Sequence, residues 1–199
     1  MQIKLMAIAG LQQALFGIGL SYGLTSGIEA PEGLSGAMKE RLEEIAGRLA
    51  CKGGGEDKFL RQVVYWWDVK APRYWWTEAD TYKVGTTAQS ESTMHRLTSR
   101  PVVDEDFEDQ PSPSALSYIN SLIDRFNRVK CGDRDTFLLL KNALPEGYLQ
   151  RRIWTVSLAN MKNIYAQRRH HRLPQWHAVC EAFVEATPDF LLGMYRGKA

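Results

Sequence analysis

Six aromatic residues crowd into twelve positions of this chain, Tyr65, Trp66, Trp67, Tyr74, Trp75 and Trp76. Nothing else limits the fold as strongly, because rings of that size need a core or a subunit contact to cover them. The same rings offer a second use, stacking on a flat ligand, for which Trp67 and Trp75 are the candidates. Phe59 to Val69 is rich in aromatic and β-branched residues, so it reads as a strand. Pro72 then opens a short helix through Thr81, since proline suits the first helical turn.

Around this cluster the sequence is mostly helical. Gln2 to Ala9 alternates polar and apolar residues and predicts a strand, followed by a helix over Leu11 to Tyr22. Pro31 to Leu49 predicts an amphipathic helix that buries Met38, Leu42, Ile45 and Leu49. The glycines at Gly53 to Gly55 end it. Further helices are expected over Ala115 to Val129, Asp133 to Ala143, Leu158 to Arg168 and Gln175 to Ala186, with Pro188 to Tyr195 closing the chain. Ser112 and Ser114 can cap the first of these, and Ser157 the third. A strand is expected over Gln150 to Val156. Few strands, many helices and no repeat give an α+β fold class. No stretch is long enough to act as a linker, so residues 1–199 read as one domain. The acidic run from Val103 to Ser114 reads as a solvated surface loop.

A net charge of +2 gives no argument for a nucleic-acid or membrane partner. Cys51, Cys131 and Cys180 are scattered and form no CxxC pair, which points to reduced thiols rather than disulfides or zinc. The apolar N-terminal stretch is interrupted by Gln12 and Gln13 and has no Ala-x-Ala cleavage site. It is too short in uninterrupted apolar residues to span a membrane. A cytoplasmic protein is the expectation.

The block from Tyr82 to His95 has no periodicity, only Gly, Thr, Ser and Gln around scattered larger residues, and reads as a loop. It resembles the signature loop of the flavin-dependent thymidylate synthases, R-H-R-x-x-S-x-N-x-x-S-x-R-Y. Thr87 and Ser92 fall on the two serines, and Gln89 keeps the amide of the asparagine. Tyr82, Lys83, Val84 and Met94 stand where the family has its arginines and central histidine. Leu144-Pro145, Tyr148, Trp154-Thr155 and Gln175-Trp176-His177 are similar, in order, to downstream family segments. Gly53 to Gly55, Phe59 to Val69 and Pro72-Arg73 occupy the places of upstream ones. The D-T-Y-K-V-G-T-T and S-T-M-H segments also look like those of a group of uncharacterised phage-encoded proteins.

The resemblance implies the thymidylate synthase complementing protein-like fold, a small mixed sheet with flanking helices. It also implies FAD as a cofactor, a nucleotide-like ligand and a homotetramer. In that family the signature arginines hold flavin and nucleotide phosphate, because a planar guanidinium meets phosphate in two parallel charge-assisted bonds. Each such bond is worth about 1.5–3 kcal/mol. The family's downstream N-x-R arginine is replaced here by Ala159, and its asparagine by Ser157. Losing these anchors together argues against the ancestral reaction.

Replacement anchors lie nearby in sequence. The stretch from Gly147 to Cys180 has no acidic residue but carries Arg151, Arg152, Lys162, Arg168, Arg169 and Arg172. It reads either as a solvated helix face or as a surface that receives phosphate. The candidate ligand-binding residues are Arg73, Lys83, Thr86, Thr87, Gln89, Ser90, Ser92, His95, Arg151 and Arg152; no catalytic residue is assigned. Two functions follow. One is a nucleotide-binding protein in which the redox chemistry is lost. The other is an active flavin-dependent enzyme that methylates or modifies a pyrimidine nucleotide. A structural or interaction protein is a third class. His177 and Cys180, spaced i and i+3, could share a metal, but no third ligand is adjacent. No GxGxxG, P-loop, GxSxG or HExxH occurs.

Overall fold

The computed structural model describes residues 1–129 and 133–196, and not the side chain of Met94. Cys131 lies outside the described residues; Cys51 is an exposed free thiol and Cys180 a buried one. Four strands, β1 (Gln2–Ala9), β2 (Val64–Pro72), β3 (Thr86–Ser90) and β4 (Leu149–Ser157), form one sheet in the order β1-β2-β4-β3. Among the described residues eight helices accompany it: α1 (Leu11–Ser21), α2 (Gly36–Ala50), α3 (Arg73–Ala79), α4 (Thr93–Arg96), α5 (Pro113–Arg128), α6 (Arg134–Ala143), α7 (Leu158–Arg168) and α8 (Pro174–Ala186). This is the expected α+β class, a small sheet with flanking helices. No helix among the described residues is long and apolar enough to cross a membrane.

The chain divides into two compact units. The first comprises Met1–Gln2, Val69–Thr81 and Ala88–Ile153; the second comprises Ile3–Asp68, Tyr82–Thr87 and Trp154–Ala199. In the first unit Arg73 N–H donates to Tyr148 O at 3.1 Å, and Glu91 N–H to Arg151 O at 2.8 Å. In the second, Leu158 N–H donates to Val63 O at 2.8 Å and Ser157 N–H to Gly85 O at 3.1 Å. Residue numbers rise on one strand as they fall on the other, so β4 is antiparallel to both β2 and β3.

The first unit is built on a core of Leu97, Val102, Phe107, Ile119, Leu122 and Leu140 with further leucine and isoleucine partners. Helices α5 and α6 both contribute to it, and each begins at a side-chain cap. Ser112 Oγ accepts from Ala115 N–H at 3.3 Å, and Asp133 Oδ1 accepts from Asp135 N–H at 3.1 Å. In the second unit Trp67, Trp154 and Phe183 pack together, with centroids 5.4 and 6.0 Å from Phe183, and Tyr65 stacks on Trp67 at 6.1 Å. Each large apolar side chain removed from water in these cores contributes about 1.5–3 kcal/mol.

Several boundaries differ from the sequence expectation. The strand begins at Val64 rather than Phe59, because residues 58–61 form a 3-10 turn that buries Phe59 and Leu60. Strict alternation starts only afterwards, with Tyr65, Trp67, Val69 and Ala71 all buried. The helix expected from Pro31 begins at Gly36, where Ser35 Oγ accepts from Met38 N–H. It buries Ala46 and Ala50 with Leu42 and Ile45, and leaves Met38 and Leu49 half-buried. The block read as a loop from Lys83 to His95 contains β3 and α4. The acidic run is a surface segment only in part. Asp106 is buried and takes two 2.7 Å bonds from Arg100, Phe107 bridges to Tyr148, and Glu108 receives the Met1 amino group at 2.6 Å.

A groove lined by the end of β3, α4 and β4

Within the first unit, Gln89 and Ser90 end β3, Glu91 and Ser92 turn the chain, and α4 follows at once. The amides of His95 and Arg96 both reach Ser92 O, at 3.3 and 3.0 Å. Gln150 Nε2 donates to Glu91 O at 3.0 Å, which ties this turn to β4. The result is an open groove of about 670 Å³ lined by Gln89, Ser90, Glu91, Ser92, His95, Arg96, Arg151, Arg152 and Ile153. Six of the ten residues singled out from the sequence therefore line one surface.

The arginines in that groove differ in what they are free to do. Arg152 is 14 % exposed and bonds both oxygens of Asp80, at 2.9 and 3.1 Å. It also donates twice to Gln150 Oε1 and lies 4.3 Å above the Trp76 ring. Its guanidinium is a structural clamp. Arg151 and His95 are exposed, and Arg96 meets the carboxylate of Glu91 at 3.1 Å.

Lys141, on the last turn of α6, was missed by the sequence reading. Its Nζ donates to Thr93 Oγ1 at 2.6 Å. Burial, and secondarily the neighbouring Arg73 charge, push its pKa below the ordinary lysine value. The available signal was one lysine three residues before Leu144-Pro145. Arg73 itself does not line the groove. It donates to Leu144 O at 3.2 Å and pairs with Glu146 at 3.1 Å, so it pins the turn after α6.

Lys83, Thr86 and Thr87 belong to the second unit and do not line this groove. Lys83 and Thr87 are exposed, and the Thr86 hydroxyl donates to Tyr82 O. Their turn is held from α7 by Asn160 Nδ2, which donates to Val84 O. Gly85 has φ +74°, and a Cβ there would lie 3.0 Å from Asn160 Nδ2 and 3.2 Å from Ser157 Oγ. The left-handed φ is what favours glycine here, and a Cβ would also press on the Asn160 and Ser157 side chains. Ser157, standing where the resemblance places an asparagine, caps α7 by accepting from Asn160 N–H at 3.3 Å. Tyr82 OH donates to Gln167 at 2.9 Å and accepts from Arg168 at 2.8 Å.

The second unit has its own cavity of about 660 Å³, floored by Ala14, Ile18, Leu49 and Phe59, with Gln62 and the exposed cations Lys58 and Arg61 among its lining. Trp67 and Trp75, the two rings expected to stack on a ligand, are 1 % and 0 % exposed, so each is core and not a stacking platform. No group of three metal-ligating side chains occurs among the described residues. His177 Nε2 lies 2.7 Å from His171 O, and burial raises the Cys180 thiol pKa to about 11. That thiol is therefore neutral at ordinary pH.

The fold is that of the flavin-dependent thymidylate synthases. Crystal structures of the synthase ThyX from Helicobacter pylori with FAD and dUMP match it with a TM-score of 0.72 at 14 % sequence identity. One match covers 98 % of this chain and 98 % of that one; another covers 98 % and 97 %. No protein-family model matches the sequence, and no curated protein matches it.

Proposed function

We propose that this protein is a divergent relative of the flavin-dependent thymidylate synthases that binds a nucleotide, or a related phosphate-bearing small molecule, without thymidylate synthase activity. The observation that carries the reading is the groove itself. Arg96, Arg151 and His95 line it against the Glu91 carboxylate, Arg152 being already clamped to Asp80, with hydroxyls from Ser90 and Ser92 and an amide from Gln89 beside them. An exposed guanidinium such as Arg151 offers phosphate a two-pronged, charge-assisted contact. Lys141 is half-buried and bonds Thr93 in the neighbouring α4, which brings a further positive charge to that helix. The hydroxyls and amide suit ribose or base edges, and about 670 Å³ is within the range of small-molecule sites.

The loss of synthase chemistry rests on what the chain carries at the family's anchoring positions. Tyr82 is engaged with Gln167 and Arg168, Ser157 is consumed as a helix cap, and Ala159 has no charge to offer.

A second reading, an active flavin-dependent enzyme acting on a pyrimidine nucleotide, is favoured by the cavity of the second unit. Ala14, Ile18 and Phe59 form an apolar surface suited to a planar ring system, Gln62 supplies an amide, and Lys58 and Arg61 suit phosphate. The residues there fit FAD, which when bound would supply hydride chemistry. Assembly into a homo-oligomer, with the tetramer as the expected form, and a cytoplasmic location belong to the proposal.

Thermal unfolding with and without dUMP, together with an absorbance scan after incubation with FAD, separates the readings. A ligand at a hundredfold excess over its Kd should add about 2.7 kcal/mol. A dUMP-dependent shift with no flavin band supports the binding protein. A flavin band with turnover of dUMP supports the enzyme. No shift with any nucleotide would remove the nucleotide reading.

A further inference from the structure

Among the described residues that line the groove, Glu91 is the one acidic side chain and the other charges are positive. Its position is not loose. Its own N–H donates to Arg151 O at 2.8 Å, and its carbonyl accepts from Gln150 at 3.0 Å. From that fixed backbone the carboxylate reaches Arg96 Nε at 3.1 Å, across the first turn of α4. Helix α4 places Arg96 for this contact, since Arg96 N–H bonds Ser92 O. Both partners are partly solvated, 39 % exposed for Glu91 and 68 % for Arg96, so the pair opens at small cost.

We propose that Glu91 is a built-in competitor for the ligand's anionic group, holding Arg96 until a phosphate displaces it. The inference rests on the reading of the groove as a phosphate site. A phosphate entering beside Ser90, Ser92 and Arg151 meets Arg96 already neutralised by a carboxylate. To gain that arginine it must exchange the Glu91–Arg96 contact for a phosphate–Arg96 contact. The carboxylate then turns to solvent. No covalent step is involved, only an exchange of partners at one guanidinium. The consequence is selectivity: a ligand that brings a carboxylate in place of a phosphate trades one such contact for another and gains little. A phosphate brings more charge and a geometry that Arg96 and Arg151 can share.

The test is calorimetric titration of the whole protein with dUMP and with inorganic pyrophosphate. It compares wild type, Glu91→Gln, Arg96→Gln and the double variant. Glu91→Gln should bind both probes up to about fivefold tighter at low salt. That gain should fall below about twofold near 1 M salt, where charges a few ångströms apart are screened. In the Arg96→Gln background, Glu91→Gln should change little, because the contested arginine is gone. Equal Kd values for wild type and Glu91→Gln, with binding present, overturn the competitor and leave the phosphate groove standing. An undiminished gain in the Arg96→Gln background also overturns it, since that outcome means plain repulsion. If neither probe binds any variant, the groove reading fails and the competitor fails with it. Melting temperatures for the four proteins confirm that each is folded before its Kd is read.

Discussion

Within each of the two units of this molecule, the same kind of charge is put to more than one use. The stretch from Gly147 to Cys180 carries six lysines and arginines and no acid. In the second unit Lys162 and Arg168 are absorbed into structure, while Arg169 and Arg172 are exposed. Lys162 donates to Ala50 O, Lys52 O and Asp57, each within 2.8 Å, and so closes the end of α2. Arg168 lies 5.0 Å from the Trp176 ring and bonds Tyr82 OH at 2.8 Å. In the first unit Arg152 is absorbed likewise, whereas the Arg151 side chain is solvent-exposed and Arg96 meets a solvated carboxylate. A basic run in sequence is therefore not a basic face. What decides its use is whether carbonyls and rings surround each cation or water does.

The comparison breaks most readily at Trp176. It is fully buried, with Tyr82 edge-on at 6.0 Å. Trp176→Ala should lower unfolding free energy by about 3–5 kcal/mol, measured by denaturant titration. An effect under 1 kcal/mol, roughly the scale of a surface change, would mean the second unit does not rest on this ring.

A sharper version sets Lys162 against Arg151. Lys162→Met strands two carbonyls and the Asp57 carboxylate, at a cost of about 1–3 kcal/mol of stability. Arg151→Ala should change stability by no more than about 0.5 kcal/mol, yet weaken dUMP binding about tenfold or more. Equal destabilisation by both would erase the distinction between enclosed and solvent-exposed cations.

The smallest effects near neutral pH come from groups that titrate far from it. In the first unit, burial opposes ionisation of Asp106, but the Arg100 clamp and the Val103 N–H outweigh it and lower its pKa. Its contribution is present above the ordinary carboxylate pKa and lost as pH falls through the lower folded value, below about 4. In the second unit, burial of a hydroxyl that has no hydrogen-bond partner among the described residues pushes Tyr65 up to about 12. Its contribution is full below the ordinary tyrosine value of 10.0 and is lost as pH rises towards 12. Asp106→Asn should flatten the acid limb of a stability–pH curve, and Tyr65→Phe the alkaline limb. If each variant alters the opposite limb, the assignment is wrong.

Much of this was legible in the sequence because regular alternation or helical spacing of apolar residues reports a strand or a helix, whether or not the apolar face is covered within the chain. The strand at Gln2–Ala9 and the helix at Leu158–Arg168 with its Ser157 cap match the expected limits. Phe59 and Leu60 misled because aromatic enrichment marks burial, whether the backbone is a strand or a tight turn. The strand Thr86–Ser90 was invisible for the opposite reason. It lies at the sheet edge, exposes most of its side chains and is specified by backbone bonds that no side-chain pattern reports. In the groove, Gln89, Ser90, Ser92, His95, Arg151 and Arg152 could be picked out by chemistry and by resemblance. That Arg152 is a clamp, Arg73 a turn anchor and Lys141 a neighbour of Thr93 depends on contacts between residues 48 to 72 positions apart. Sequence spacing carries no trace of those.

The polar edge strand also constrains how this protein can change. Its side chains do not select a register, since Thr86 to Ser90 present no apolar face to bury. Register is fixed at its ends, by Gly85 O receiving Ser157 N–H and by Glu91 N–H reaching Arg151 O. The segment between is in effect a spacer whose length matters more than its letters. Exchanges among small polar residues at Thr87 or Ala88 should pass almost unnoticed in drift. Deleting one residue would instead displace Glu91, Ser92 and α4 together, so insertions and deletions, rather than substitutions, are the mutations this stretch cannot absorb.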